Sequence, residues 1–122
     1  MAGWIGVLVP GAIGLLFVIV GIPLAQRRVP RNAWYGYRIR TTLKDDAIWY
    51  PVNERSGRHL IVLGGALILV ALVGLSFTGD DATQRDLLIL SLALTAAGLA
   101  YSIWSGYALA RLLDREQRIS AG

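Results

Sequence analysis

Apolar residues run in three blocks, Trp4–Ala25, Leu60–Thr78 and Leu87–Ala110, of 22, 19 and 24 residues, and no block contains a charged side chain. An α-helix rises about 1.5 Å per residue, so about 20 apolar residues cross a hydrocarbon core of roughly 30 Å. Each block is long enough to span. The pattern predicts an all-α membrane protein, a single domain over residues 1–122. It has three transmembrane helices (4–25, 60–78 and 87–110), a connecting segment 26–59, a short turn 79–86 and a tail 111–122. The first block does not read as a cleaved leader. A leader opens with positive charge and has a shorter apolar stretch, whereas Met1-Ala2-Gly3 carries no charged side chain and Arg27-Arg28 follow the block. A retained helix is expected.

Composition agrees. Hydrophobic residues make up 55% of the chain and charged residues 16%, against about 25% charged in a soluble domain. Cysteine is absent, which excludes a disulfide scaffold and cysteine-ligated metal.

Charge adds orientation. Eight of the 12 Lys and Arg residues lie in the connecting segment, Arg85 alone lies in the turn, and Arg111, Arg115 and Arg118 lie in the tail. The turn is acidic, with Asp80, Asp81 and Asp86. Basic loops stay in the cytoplasm. The expected topology is N-terminus outside, basic segment inside, acidic turn outside and C-terminus cytoplasmic. The formal net charge of +4 therefore has a bilayer with anionic headgroups as its partner, each basic residue being attracted by about 1 kcal/mol. Nucleic acid is not an expected partner.

Helices in lipid associate through close backbone approach at small residues. The third block carries Ser91, Thr95, Gly98, Ser102 and Gly106 at spacings of three and four, one helix face. Gly14 and Gly21 in the first block, with Gly64, Ala71 and Gly74 in the second, give shorter runs. Gly98, Ser102 and Gly106 are expected helix-packing residues, either within the chain or at a seam with another copy or a partner helix. Pro10 is expected to bend the first helix. No ionisable residue lies within a block, which argues against a proton-coupled pump acting alone.

The connecting segment holds Trp34, Tyr35, Tyr37, Trp49 and Tyr50, five of the nine Trp and Tyr residues. Aromatic and basic residues together favour the headgroup region. Thr42 followed by Asp45 has capping-box-like spacing and predicts a short amphipathic interfacial helix starting near Leu43. Pro51 should end or kink it around Tyr50. The tail 111–117 is expected to continue the third helix as a solvated extension.

Catalytic motifs are not found. There is no HExxH, CxxC, GxSxG or Walker-type sequence. His59 lacks companion donors for a metal, and adjacent Asp45 and Asp46 diverge too far on a helix to form an acid–base dyad. No catalytic, cofactor-binding or metal-ligating residue is assigned.

Pro30, Asn32, Gly36, Arg38, Thr42, Trp49, Asn53 and Gly57 stand in an order that resembles the SdpI-like family of small bacterial membrane proteins. The hallmark is P-x-N-x-x-x-G-x-R, then Thr-Leu, an acidic stretch, a Trp, an Asn and a small residue; Pro51 departs from it. The resemblance implies a bacterial plasma-membrane location. It also implies immunity to a membrane-active peptide toxin, or signalling by holding a repressor at the membrane. Pro30, Asn32, Trp34, Gly36, Arg38, Arg40, Thr42, Trp49, Asn53 and Gly57 are the expected partner- or headgroup-binding set. Arg38 and Arg40 are suited to phosphate or carboxylate, and Trp34 and Trp49 to anchoring at the bilayer surface. The same residues also suit a plainer role, folding the loop against the helix ends. The leading expectation is a non-enzymatic protein that binds a partner at the membrane. An accessory subunit of a larger membrane complex and a small oligomeric transporter are the alternatives.

Overall fold

The computed structural model describes residues 2–32, 36 and 38–121, apart from the side chains of Ala2 and Arg40. A 3-10 turn at Ala2–Trp4 leads into α1 (Ile5–Ala25), followed by α2 (Arg40–Lys44), α3 (Asp46–Leu75) and α4 (Asp81–Ala121). No strand occurs among the described residues. Helices α1, α3 and α4 are each long and apolar enough to cross a membrane, so the all-α, three-span architecture stands. At 30 and 41 residues, α3 and α4 measure about 45 and 61 Å and run well past the hydrocarbon. Side chains along the spans face outward: Val62 is 73% exposed, Leu69 64% and Trp104 66%. Such a surface suits lipid.

Helix α3 is central, with α1 packed antiparallel along it and α4 against its other flank. Apolar side chains gain nothing by leaving lipid for one another, so close backbone contact has to hold the pair. Three glycine pairs supply it. A Cβ on Gly14 would stand 2.6 Å from the Gly64 carbonyl oxygen, and one on Gly64 would stand 2.5 Å from that of Gly14. Gly21 meets Gly57 at 2.7 Å in the same sense, and a Cβ on Gly74 would lie 2.8 Å from the Gly6 carbonyl. Helix α1 is continuous through Pro10 and Pro23. On α4, Ser91, Ser102, Ser105 and Gly106 are buried, and a Cβ on Gly98 would meet Leu63 at 2.7 Å. Ser91 and Thr95 return their hydroxyl hydrogens to the Leu88 and Ser91 carbonyls of their own helix. The small-residue face therefore lies within the chain, against α3.

The acidic end is closed by Gln84, which is fully buried in the first turn of α4. Its Oε1 accepts from the Gly6 amide at 2.9 Å, and its Nε2 donates to the Gly74 and Phe77 carbonyls at 2.8 and 3.1 Å. One side chain thus pairs the Gly6 amide near the start of α1 and adds a second hydrogen bond to two carbonyls at the end of α3, which also accept from the Phe77 and Asp80 amides. Asp80 caps α4, accepting from the Ala82 and Thr83 amides and the Thr83 hydroxyl.

Three local expectations change. Pro51 neither ends nor breaks a helix: α3 starts at Asp46 and runs through it. Pro51 lies near the helix start and forfeits a single bond, while Ile48, Trp49 and Val52 around it are fully buried and hold that turn in place. Thr42 does not open a helix with Asp45. It sits inside α2, and its Oγ1 accepts from the Ile39 amide at 2.9 Å. Asp45 itself caps α3 through the Ala47 amide at 2.9 Å. The tail is not simply solvated. Ile48, Val52 and Ala110 form a fully buried cluster with Leu109 and Leu113 packed on it. Lys44 pairs with Asp114, and the Gln117 amide donates to Asp45 Oδ2 at 2.9 Å.

Candidate functional site

The motif residues gather at the basic end, around the first turns of α3. Helix α1 stops in a left-handed residue, Arg27, at φ 58°. The Arg27 amide bonds to the Leu24 carbonyl and the Arg28 amide to that of Pro23, a C-terminal motif in which glycine is usual. Arginine stands here with its guanidinium on Glu54 at 2.5 Å. Arg58 holds the other Glu54 oxygen at 2.6 Å, so the turn is tied to α3 by a shared carboxylate.

Downstream, several of the described residues are held by specific contacts. The Asn32 amide donates to the Pro30 carbonyl at 2.8 Å. Arg31 bonds to Asp46 at 2.8 Å and to the Leu43 carbonyl at 3.1 Å. The Trp49 indole N–H donates to the Val29 carbonyl at 2.7 Å. Gly36 adopts φ 103°, and a Cβ there would lie 2.5 Å from Asn53 Oδ1. Asn53 is buried and donates to the Trp49 carbonyl at 2.9 Å. Gly57 belongs to the glycine seam, and a Cβ on it would also lie 2.5 Å from the Ala25 amide nitrogen. Pro30, Asn32, Gly36, Trp49, Asn53 and Gly57 thus form one connected fastening between loop and helix. Trp49 is fully buried and does not anchor the loop at the bilayer surface. Thr42 is fully buried in α2, and Arg38 is exposed. Arg40 opens α2, with its side chain outside the described residues; Trp34 also lies outside them.

The fastened loop borders a recess. Between α1 and α4, over α3, an apolar pocket of about 200 Å³ is lined by Val20, Leu24, Leu60, Leu99 and Ile103, with Gly36 at its edge. An adjoining hollow is lined by Gly36, Arg38, Ile39 and Ile103. A second, polar cleft of about 490 Å³ is lined by Arg27, Glu54, Arg55, Arg58 and His59. His59 Nδ1 lies 3.2 Å from the Ser102 hydroxyl, and its ring is tilted on Tyr101.

The carboxylates here are engaged. Glu54 is held by two arginines, and Asp114 by Lys44 and by Arg118 at 3.2 Å. The Ala47 amide, then the Gln117 side chain, hold the Asp45 carboxyl below its ordinary pKa. Every buried side-chain polar atom among the described residues has a partner. Arginines beside an apolar recess make a surface suited to binding. Gln84 and the Lys44–Asp114 and Asp45–Gln117 links carry no local sequence signal, because their partners are distant in the chain. The Glu54–Arg58 pair is legible as an i, i+4 spacing.

Fold and site together define a small polytopic helical membrane protein with a basic segment between its first two spans. The model of the SdpI/YfhL protein family matches residues 28–105, from that segment into α4 and more than half of the chain. The chain belongs to the SdpI/YfhL family. Comparison with curated proteins and with solved structures gives no match.

Proposed function

We propose that this chain is a non-enzymatic binding protein of the bacterial plasma membrane, with its basic end in the cytoplasm. It receives a membrane-active peptide at the recess between α1 and α4 and so protects its host. The observation that carries the reading is the use to which the family pattern is put. Asn53, Trp49 and Gly36 tie the described parts of the loop to α3 beside an apolar recess whose adjoining hollow Arg38 lines. An apolar peptide segment matches the recess, and a carboxylate on it matches Arg38. The excess of Lys and Arg in the connecting segment and tail supports the orientation.

Deleting the gene and challenging with a panel of membrane-active peptides tests this. Sensitivity to at least one peptide should rise, and wild-type protein should restore resistance. Ile103→Trp, which fills the recess from a side chain 60% exposed, should insert normally yet fail to restore it. Unchanged sensitivity across the whole panel sinks the reading.

A further inference from the structure

The third cleft shares no lining residue with the recess of the proposed peptide site. It is about 470 Å³ and is lined by Thr41 of α2 and by Tyr107, Arg111, Asp114, Arg115 and Arg118 of α4. The charge-free stretch of α4 ends at Ala110, so Arg111 stands where hydrocarbon gives way to headgroups. Its guanidinium carbon lies 5.7 Å from the centre of the Tyr107 ring, one turn toward the span. That contact holds the charge at the boundary rather than out in water. Arg115 and Arg118 continue the same face outward. Asp114, the one carboxylate in the lining, is already paired with Lys44 and Arg118. Arg111 and Arg115 make no ion pair among the described residues.

We propose that this cleft is a binding site for the phosphodiester headgroup of one anionic phospholipid from the leaflet at the basic end. Guanidinium groups offer paired donors to phosphate oxygens, and the Thr41 hydroxyl adds a neutral one. The acyl chains continue down the exposed face of Tyr107, Trp104 and Ala100. An acidic protein segment arriving from solution would meet Arg115 and Arg118 first. Arg111, drawn back onto Tyr107, is placed for a charge that resides in the membrane.

The test uses full-length protein extracted in neutral detergent and offered an equimolar mixture of phosphatidylglycerol and phosphatidylcholine. Retained lipid is read by native mass spectrometry. Wild type should keep one phosphatidylglycerol in preference. Arg111→Gln with Arg115→Gln should weaken retention about thirtyfold, at roughly 1 kcal/mol per arginine. Arg85→Gln, at the acidic end, should behave as wild type. Arg115→Gln alone breaks no ion pair within the described chain, so it keeps the test informative if the double variant unfolds; it should weaken retention about fivefold. Equal retention of the two lipids by wild type, or undiminished retention by the Arg115→Gln and double variants, overturns the proposal. Displacement by millimolar inorganic phosphate overturns it in favour of a free-phosphate site, and displacement by an acidic peptide alone in favour of a protein partner. None of these outcomes depends on peptide immunity.

Discussion

Gly36 has no room for a methyl group, and its φ of 103° is one that L side chains rarely adopt. Gly36→Ala should cost roughly 1–3 kcal/mol, read as a lower unfolding midpoint in detergent. Gly65 is the matched control. Nothing lies within 4 Å of its Cβ position, so Gly65→Ala should be neutral or stabilise by up to about 1 kcal/mol through helix propensity. Gln84→Leu keeps the volume but strips the Gly6 amide of its side-chain acceptor, at about 1–3 kcal/mol, measurable in the same assay. The family resemblance marks Gly36 and Asn53 as pattern residues. That each excludes alternatives for the other becomes visible only when the loop is laid on α3. Gln84 reads as an ordinary polar residue of a turn, since its three partners belong to helix ends that a linear chain does not bring together.

At the level of elements, hydrophobic blocks locate the spans because lipid imposes length and apolarity directly. They do not reveal where α3 begins. A proline rule describes an isolated helix, whereas the turn around Pro51 is held by the buried side chains of Ile48, Trp49 and Val52. The tail of α4 is likewise an element joined to others, through Asp45–Gln117 and Lys44–Asp114. Asp45 has a depressed pKa in the folded protein. Its contribution is therefore complete above the ordinary carboxylate pKa and is lost as pH falls through the lower folded value. Spin labels at Leu43→Cys and Ser120→Cys should report one narrow distance at neutral pH, broadening only below the usual carboxylate range. Asp45→Asn should shrink that acid transition and leave the share carried by Asp114, whose carboxyl Lys44 likewise holds below its ordinary pKa; Asp45→Asn with Asp114→Asn should remove it. A transition near pH 6 in place of it would assign the docking to another group.

The whole molecule is held together differently along its length. In the spans, bare backbones meet; at the basic end, where water competes, Ile48, Val52 and Ala110 form an ordinary apolar core. Loop charge implies which end faces the cytoplasm, and the natural absence of cysteine makes the check direct. In intact cells, Gly79→Cys should react with a membrane-impermeant maleimide and Ser120→Cys should not until the cells are opened. The reverse pattern would invert the topology.

The paired notches between α1 and α3 also act as a key. Sliding α3 by one turn would bring Leu60 or Ile68 opposite Gly14, and a branched side chain would then occupy space that a peptide carbonyl now fills at 2.6 Å. Misaligned hairpins are thereby rejected by steric collision, so this polypeptide needs no buried charge to select its correct alignment during assembly.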